Sequence, residues 1–352
     1  MKKSFQLGLL LILLSPVSYA TIRTVSNDAI NPAQFTTIQN AINASTSGDT
    51  VYVNVSATQY TDFIIDRKII LIGGGYKTNS QFHLITWLGN ITFKATAGND
   101  PSGSIIEGCR ITFISIAAGT LPVNDIKLFR NSITTIATAA NPSCENWNIY
   151  NNIIGGVDGG YNSKNVKIQN NIIVGGVSFF FDPATIIDHN VFHNAIFLYV
   201  GNSTITNNIF TTQSIVMRQS VVDNNTFNNN LYNTTTVGNS PPYDSFEGTT
   251  NTGGGNFVGV DPLYESVANF EFFNDVNNYR LKSGSPVRNA ATDGSDLGIY
   301  GGAHPFPSGG APGSGYDLSA LPAIPEITSA DVQNSSIQPT TLLRVRVKAT
   351  VH

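Results

Sequence analysis

The stretch that decides the fold is "NVKIQNNIIVGG", Asn165 to Gly176. Nineteen residues earlier stands "NWNIYNNIIGG", from Asn146, and a third copy, "TIIDHNVFHN", begins at Thr185. Each copy writes an aliphatic residue, two polar ones, an asparagine and a further apolar pair. With the asparagine as position zero, Asn131, Asn152, Asn171, Asn190, Asn208 and Asn225 fall in one column, at gaps of 21, 19, 19, 18 and 17 residues. Cys109 fits the same frame 22 residues before Asn131. Three positions before zero stand Ile106, Leu128, Ile149, Ile168, Ile187, Ile205 and Val222; two after it stand Ile111, Ile133, Ile154, Ile173, Phe192, Phe210 and Phe227. All fourteen are apolar, where a chain of this composition would give roughly six by chance.

A period of about twenty residues is the signature of a solenoid, in which each repeat buries its apolar face on the next. The short segments read as parallel strands meeting at a corner. Asparagine suits that corner because it tolerates the left-handed backbone and can stack in a hydrogen-bonded ladder. Leucine-rich repeats also place Asn after aliphatics, but their period is longer, their aliphatic is mainly Leu, and they need a helical or similar return. A hexapeptide helix would need a strict short period.

The 352 residues carry a formal net charge of -4, with 12% charged residues and no basic run. That excludes a disordered chain and argues against nucleic acid as a partner. Residues 1–20, "MKKSFQLGLLLILLSPVSYA", have the pattern of an export signal. Lys2 and Lys3 precede an apolar run, and Ser18 and Ala20 are the small residues a signal peptidase needs. No later stretch is apolar enough for a membrane helix. The protein is therefore expected to be secreted or displayed on a cell surface, without a transmembrane segment and as a monomer. Cys109 and Cys144 are too few for a disulfide framework and are expected to be buried thiols.

At the N-terminal end, Phe35, Ile38, Ala41 and Ile42 mark one face of a short helix that Asn31 would cap and Pro32 would open. Thr50 to Val53 and Lys68 to Ile72 read as strands. At the other end, a Pro/Gly/Ser stretch over 304–322 reads as a linker. In the tail, 323–352, Thr341 to Val351 alternates strictly as a strand.

The arrangement "FTTIQNAINASTSGDTVYV … IILIGGG", followed by Asn-anchored coils, resembles the pectin-lyase-like superfamily of right-handed parallel β-helices. The stretch "DPLYES … NNYRLKSGSPVRNAATDGSDLGIYGG", Asp261 to Gly302, is similar to the closing segment of bacterial secreted and cell-surface members. One departure is Val287-Arg288-Asn289, where an acidic residue is common after "SP". The resemblance covers about residues 22 to 306. The expected fold class is all-β: a right-handed parallel β-helix of about nine to ten coils. It occupies 21–303, with an N-terminal capping helix and a β-rich C-terminal tail.

The resemblance implies polysaccharide lyases or glycosidases among the relatives, and such chemistry needs clustered acids. Glycoside hydrolysis uses two carboxyl groups about 5 to 9.5 Å apart. The outward column two before zero reads Glu107, Phe129, Tyr150, Gln169, Asp188, Thr206 and Asp223, so only Asp188 and Asp223 come within two coils. The densest cluster is "FDPATIIDHNVFH", which faintly resembles the pectate lyase strand carrying an Asp-His pair. It holds Asp182 and the weak catalytic candidates Asp188, His189 and His193. As strand neighbours, Asp188 and His189 should point to opposite faces. Phe129 and Tyr150 are candidates to stack on a sugar. No metal site is legible, although the acidic stretch from Asp261 to Tyr279 offers carboxylates to calcium.

The reading is a β-helix without an evident catalytic site. Its role would be adhesive, glycan-binding or structural, with an extracellular polysaccharide or cell-surface glycan as partner. The alternative is a lyase or hydrolase acting on acidic polysaccharide, with Asp188 and His189 or His193 as its nucleus; turnover independent of them would point to another column, such as the loops between Gly155 and Tyr161.

Overall fold

The computed structural model describes residues 20–77, 84–138, 144–193, 196–211, 217–218, 224–233, 250–267, 269, 273–274, 277–306, 325–332 and 345–351. Its described residues form a parallel β-helix. One eleven-stranded sheet starts at Ile22–Val25, Thr50–Val53, Ile70–Gly73 and Ile105–Glu107. It continues through Lys127–Phe129, Asn148–Tyr150, Lys167–Gln169, Ile186–Asp188, Thr204–Thr206 and Thr226–Asn228 to Thr252–Gly254. The second sheet takes the strands after each corner, among them Arg110–Ile116, Ser132–Ala137, Ile153–Asp158 and Ile172–Phe180. The pairings in these two sheets are parallel, and the inward column of the first is in register: Leu128, Ile149, Ile168, Ile187 and Ile205 lie side by side. Those five side chains are fully buried. In the second sheet the register of Ile153–Asp158 against Ile172–Phe180 shifts by one residue between Ile154 and Gly156.

The corner is a ladder of asparagines. The side-chain oxygen of each accepts the backbone N–H of the residue one coil earlier: Asn131 from Cys109, Asn152 from Asn131, Asn171 from Asn152, Asn190 from Asn171 and Asn208 from Asn190. The next rungs are Asn230 and Asn256. Asn225 is not a rung of this ladder; it belongs to a second corner, where it accepts from Ser203 and donates its own N–H to Asn251. The shift arises because Phe227 satisfies either apolar column. The register settles it, pairing Phe227 with Ile205. Val222 and Asp223, which the earlier frame required, lie outside the described residues.

The left-handed backbone lies one residue before the rung, not on it. Gly108, Arg130, Asn151, Asn170, His189, Asn207, Asn229 and Gly255 all have φ between 51° and 73°. The rung asparagine itself keeps ordinary φ and spends its amide on the ladder.

The solenoid has about seven turns rather than nine to ten. The regular period runs only from Cys109 to Asn256, and the strands before it extend the first sheet through irregular connections. Helix α1, Ile38–Ala44, packs against this N-terminal end. It is capped by Thr37, which accepts from Asn40, and not by Asn31. Phe35 does not join it, because its backbone is tied to Thr24 of the edge strand and to Ser26 just after it. Both cysteines are buried and unpaired with each other.

A second apolar cluster lies outside the solenoid. One residue after the ladder, Ile153, Ile172, Val191, Ile209 and Leu231 face outward from the second sheet yet are buried. Tyr264, Tyr279, Val287, Leu297, Ile299 and Phe306 cover them. The closing segment is therefore a strap along the side of the helix, and its packing continues to Phe306, beyond residue 303. The tail strand, Val345–Val351, pairs antiparallel with Pro325–Val332.

Candidate functional site

Asp188 and His189 come together on one side of the molecule, against the alternation expected of strand neighbours. The left-handed φ of 53° at His189 turns its ring back, so that Nδ1 lies 2.9 Å from Asp188 Oδ2. Burial pushes the Asp188 carboxyl up, but contact with His189 and hydrogen bonds from Thr206 and Asn207 outweigh it and hold it below the usual range. On its other side His189 Nε2 is 3.1 Å from Ser295 Oγ of the strap.

The order Asp188, His189, Ser295 matches the groups of a nucleophilic relay, but the geometry does not support one. Ser295 Oγ donates its single proton to Asp293 at 2.6 Å and accepts the N–H of Gly302 at 2.9 Å. These contacts already engage the hydroxyl within the strap itself. The pair serves the strap instead. Asn229, Asn207, Asn170 and Asn151 bind it similarly, through Ala290, Thr292, Ile299 with Gly301, and His304. Gly301 and Gly302 lie flat on the imidazole; a Cβ on Gly302 would stand 2.7 Å from Nδ1.

Gly302→Ala is thus expected to weaken the strap. The residue sits at φ 73°, where an L side chain costs roughly 1–2 kcal/mol before the clash with His189. A lower melting temperature and faster proteolysis between Ala290 and Phe306 would check this. An unchanged protease pattern would show that the strap does not depend on this contact.

His193 does not join this group. It is buried, and its Nδ1 lies 3.0 Å from the Tyr279 hydroxyl. Phe129 and Tyr150 do stack, with centroids 5.1 Å apart, but His304 covers the other face of Tyr150 at 4.4 Å. The outward column holds Glu107 and Asp188 four coils apart, about 19 Å at sheet spacing and too far for paired carboxyl chemistry. Asn228 occupies the place expected of Asp223, and Glu107 is paired with Arg130 at 3.1 Å. Among the described residues no three His, Cys, Asp or Glu gather as metal ligands. Of the acidic stretch offered to calcium, Asp261 accepts the Leu263 N–H, while Glu271 and Asp275 lie outside the described residues.

Among the described residues, an open concavity lies on the second sheet. Two hollows of about 330 and 390 Å³ share Thr134 and Gly155. Tyr76, Lys77, Arg110 and Phe273 border the first; Thr135, Asp158, Ser178 and the glycine pairs at 155–156 and 175–176 border the second. Trp87, 39% exposed, lies under the Arg110 guanidinium at 5.4 Å. Gly155 and Gly175 are required by packing, since a Cβ on them would overlap the carbonyls of Thr134 and Gly155. Gly156 is different: a Cβ there would meet only the Gly176 carbonyl, at 3.8 Å. Its missing side chain keeps the floor open, and a Cβ would fit there without a clash. The sequence signal was the doubled glycine closing two of the repeats, "NIIGG" and "NIIVGG".

No family model matches this chain, and no curated protein matches it significantly in sequence. The class it belongs to is therefore set by its architecture, an all-β parallel β-solenoid. Among the described residues no helix is long and apolar enough to cross a membrane.

Proposed function

We propose that this protein is an exported, non-catalytic β-helix that binds a glycan along the trough of the second sheet. The observation that carries the reading is the trough itself. The glycine pairs at 155–156 and 175–176 bare the backbone along its floor, and at Gly156 a Cβ would fit without a clash. Thr134, Thr135, Ser178 and Asp158 offer hydrogen bonds along it, and Arg110 and Lys77 stand at one end. Saccharide sites combine such polar edges with aromatic faces.

Gly156→Val tests this directly. Valine suits a strand, so the melting temperature should be unchanged or higher while the floor is blocked. Calorimetric titration with a panel of hexasaccharides should show binding to the native protein and at least about tenfold weaker binding to the variant. Equal affinity would place any glycan elsewhere. In the same samples, pectin, alginate and glycosaminoglycans are expected to release no unsaturated or reducing sugars, with or without calcium. Turnover lost in Asp188→Ala and His193→Ala, with folding intact, would promote the enzyme reading.

Export rests on residues 1–20. Cleavage is expected between Ala20 and Thr21, because Ser18 and Ala20 satisfy the protease. N-terminal sequencing of secreted protein checks this, and a retained Met1 would refute it.

A further inference from the structure

An aromatic platform follows the trough along the chain. The trough's lining ends at Asp158 in one coil and at Ser178 in the next; Gly159, Gly160 and Tyr161 follow the first, and Phe179 and Phe181 follow the second. The Tyr161 and Phe181 rings are nearly parallel, 8° apart with centroids at 5.6 Å. Phe179 tilts against Tyr161 at 4.6 Å. Tyr161 is 56% exposed.

Two of these residues are held in a costly backbone. Tyr161 has φ 69° and Phe179 has φ 60°, a region that bulky L residues rarely adopt and that costs roughly 1–2 kcal/mol each. The hydrogen bonds of the turn hold it: Tyr161 N–H to the Phe179 carbonyl, Gly159 N–H to the Ser178 carbonyl, and Gly160 N–H to Asp158. Glycine would satisfy the same backbone at Tyr161 without strain, and it already stands at position 160. The return is a ring that packs on Phe179 and Phe181 and still stays 56% exposed, and strain of this kind clusters at ligand clamps and other functional sites.

Resting on the glycan-binding reading above, we propose that the occupant is a flat, equatorially linked pyranose chain of the cellulose or xylan type. One sugar ring stacks on Tyr161, and its neighbours lie on the glycine floor. The physical reason is shape. Equatorial linkages make a ribbon whose two faces carry axial C–H groups, and these pack on an aromatic ring and on bare backbone. Axially linked chains, such as galacturonan or amylose, turn at each residue and would lift off a flat floor. The polar groups bordering the floor, from Thr134 and Thr135 to Asp158 and Ser178, are then placed to meet the equatorial hydroxyls at the edge of the ribbon.

The test uses the whole protein with cellohexaose, maltohexaose and hexagalacturonate in calorimetric titrations. Cellohexaose should bind at least about tenfold tighter than the other two. Tyr161→Gly should lose about tenfold in cellohexaose affinity while its melting temperature stays level or rises, because the strain is relieved. Tyr161→Trp should keep or tighten binding. If Tyr161→Gly binds cellohexaose normally, the ring is structural and the proposal fails, whatever happens to stability. Preference for maltohexaose or hexagalacturonate would also overturn it, while leaving glycan binding in place. If none of the three binds, the glycan reading itself fails with it.

Discussion

Ile168→Asp is expected to leave little or no folded protein. Ile168 is fully buried, and in its column it lies between Ile149 and Ile187. An aspartate there would have apolar side chains on both sides along the stack. An unpaired buried charge costs several kcal/mol even after relaxation, a large part of the roughly 5–15 kcal/mol that holds a typical domain together. The control is one residue away. Gln169 faces outward and, among the described residues, its side chain hydrogen-bonds only Asp188, at 3.4 Å, so Gln169→Ala should change stability by less than about 0.5 kcal/mol. Circular dichroism melts of the two variants check the pair. If they melt together, the assignment of inward and outward columns is wrong.

Asn171→Leu should have the second largest effect, for a different reason. Asn171 Oδ1 accepts from the Asn152 backbone and side chain, at 2.9 and 3.0 Å. Its Nδ2 donates to the carbonyls of Ile149 and Gln169 and to Asn190 Oδ1. Leucine has nearly the same volume and makes none of these bonds. It would strand the Asn152 N–H and at least one carbonyl in a dry corner, at about 1–3 kcal/mol for each group. A loss of roughly 3–5 kcal/mol follows. The cost does not come from backbone preference, because the left-handed residue is Asn170, not Asn171. Asn170→Gly should therefore be milder in its backbone term, yet it would still lose the strap contacts to Ile299 and Gly301. A melting temperature for Asn171→Leu close to the native value would mean that the ladder contributes little.

The inward columns and the ladder from Asn131 to Asn208 were legible because a solenoid repeats one local solution, and each coil offers independent copies of the same pattern. The pattern became ambiguous where the copies ran out. The stretch "DNNTFNNN", Asp223 to Asn230, offers five asparagines and one Phe that fits two columns. Only pairing with the preceding coil chose Asn230 over Asn225. The strap was half legible. One position after the ladder, the chain changes from Arg110 and Ser132 to Ile153, Ile172, Val191, Ile209 and Leu231. That outward column turns apolar where, in the structure, the strap covers it.

The sequence by itself determined the parallel stacking, the buried columns and the asparagine corner, because each depends on residues at one fixed spacing. Only the tertiary structure decided what the outer surface does. His189 faces Ser295, 106 residues away, and Asn151 faces His304, 153 residues away; no local pattern encodes such pairings. The same contacts tie the most catalytic-looking pair, Asp188 and His189, to the strap. The trough likewise depends on neighbouring coils. A glycine reads the same in every repeat, and only the packing around it separates Gly155, where a Cβ would overlap the Thr134 carbonyl, from Gly156, where among the described residues it would meet only the Gly176 carbonyl at ordinary contact distance.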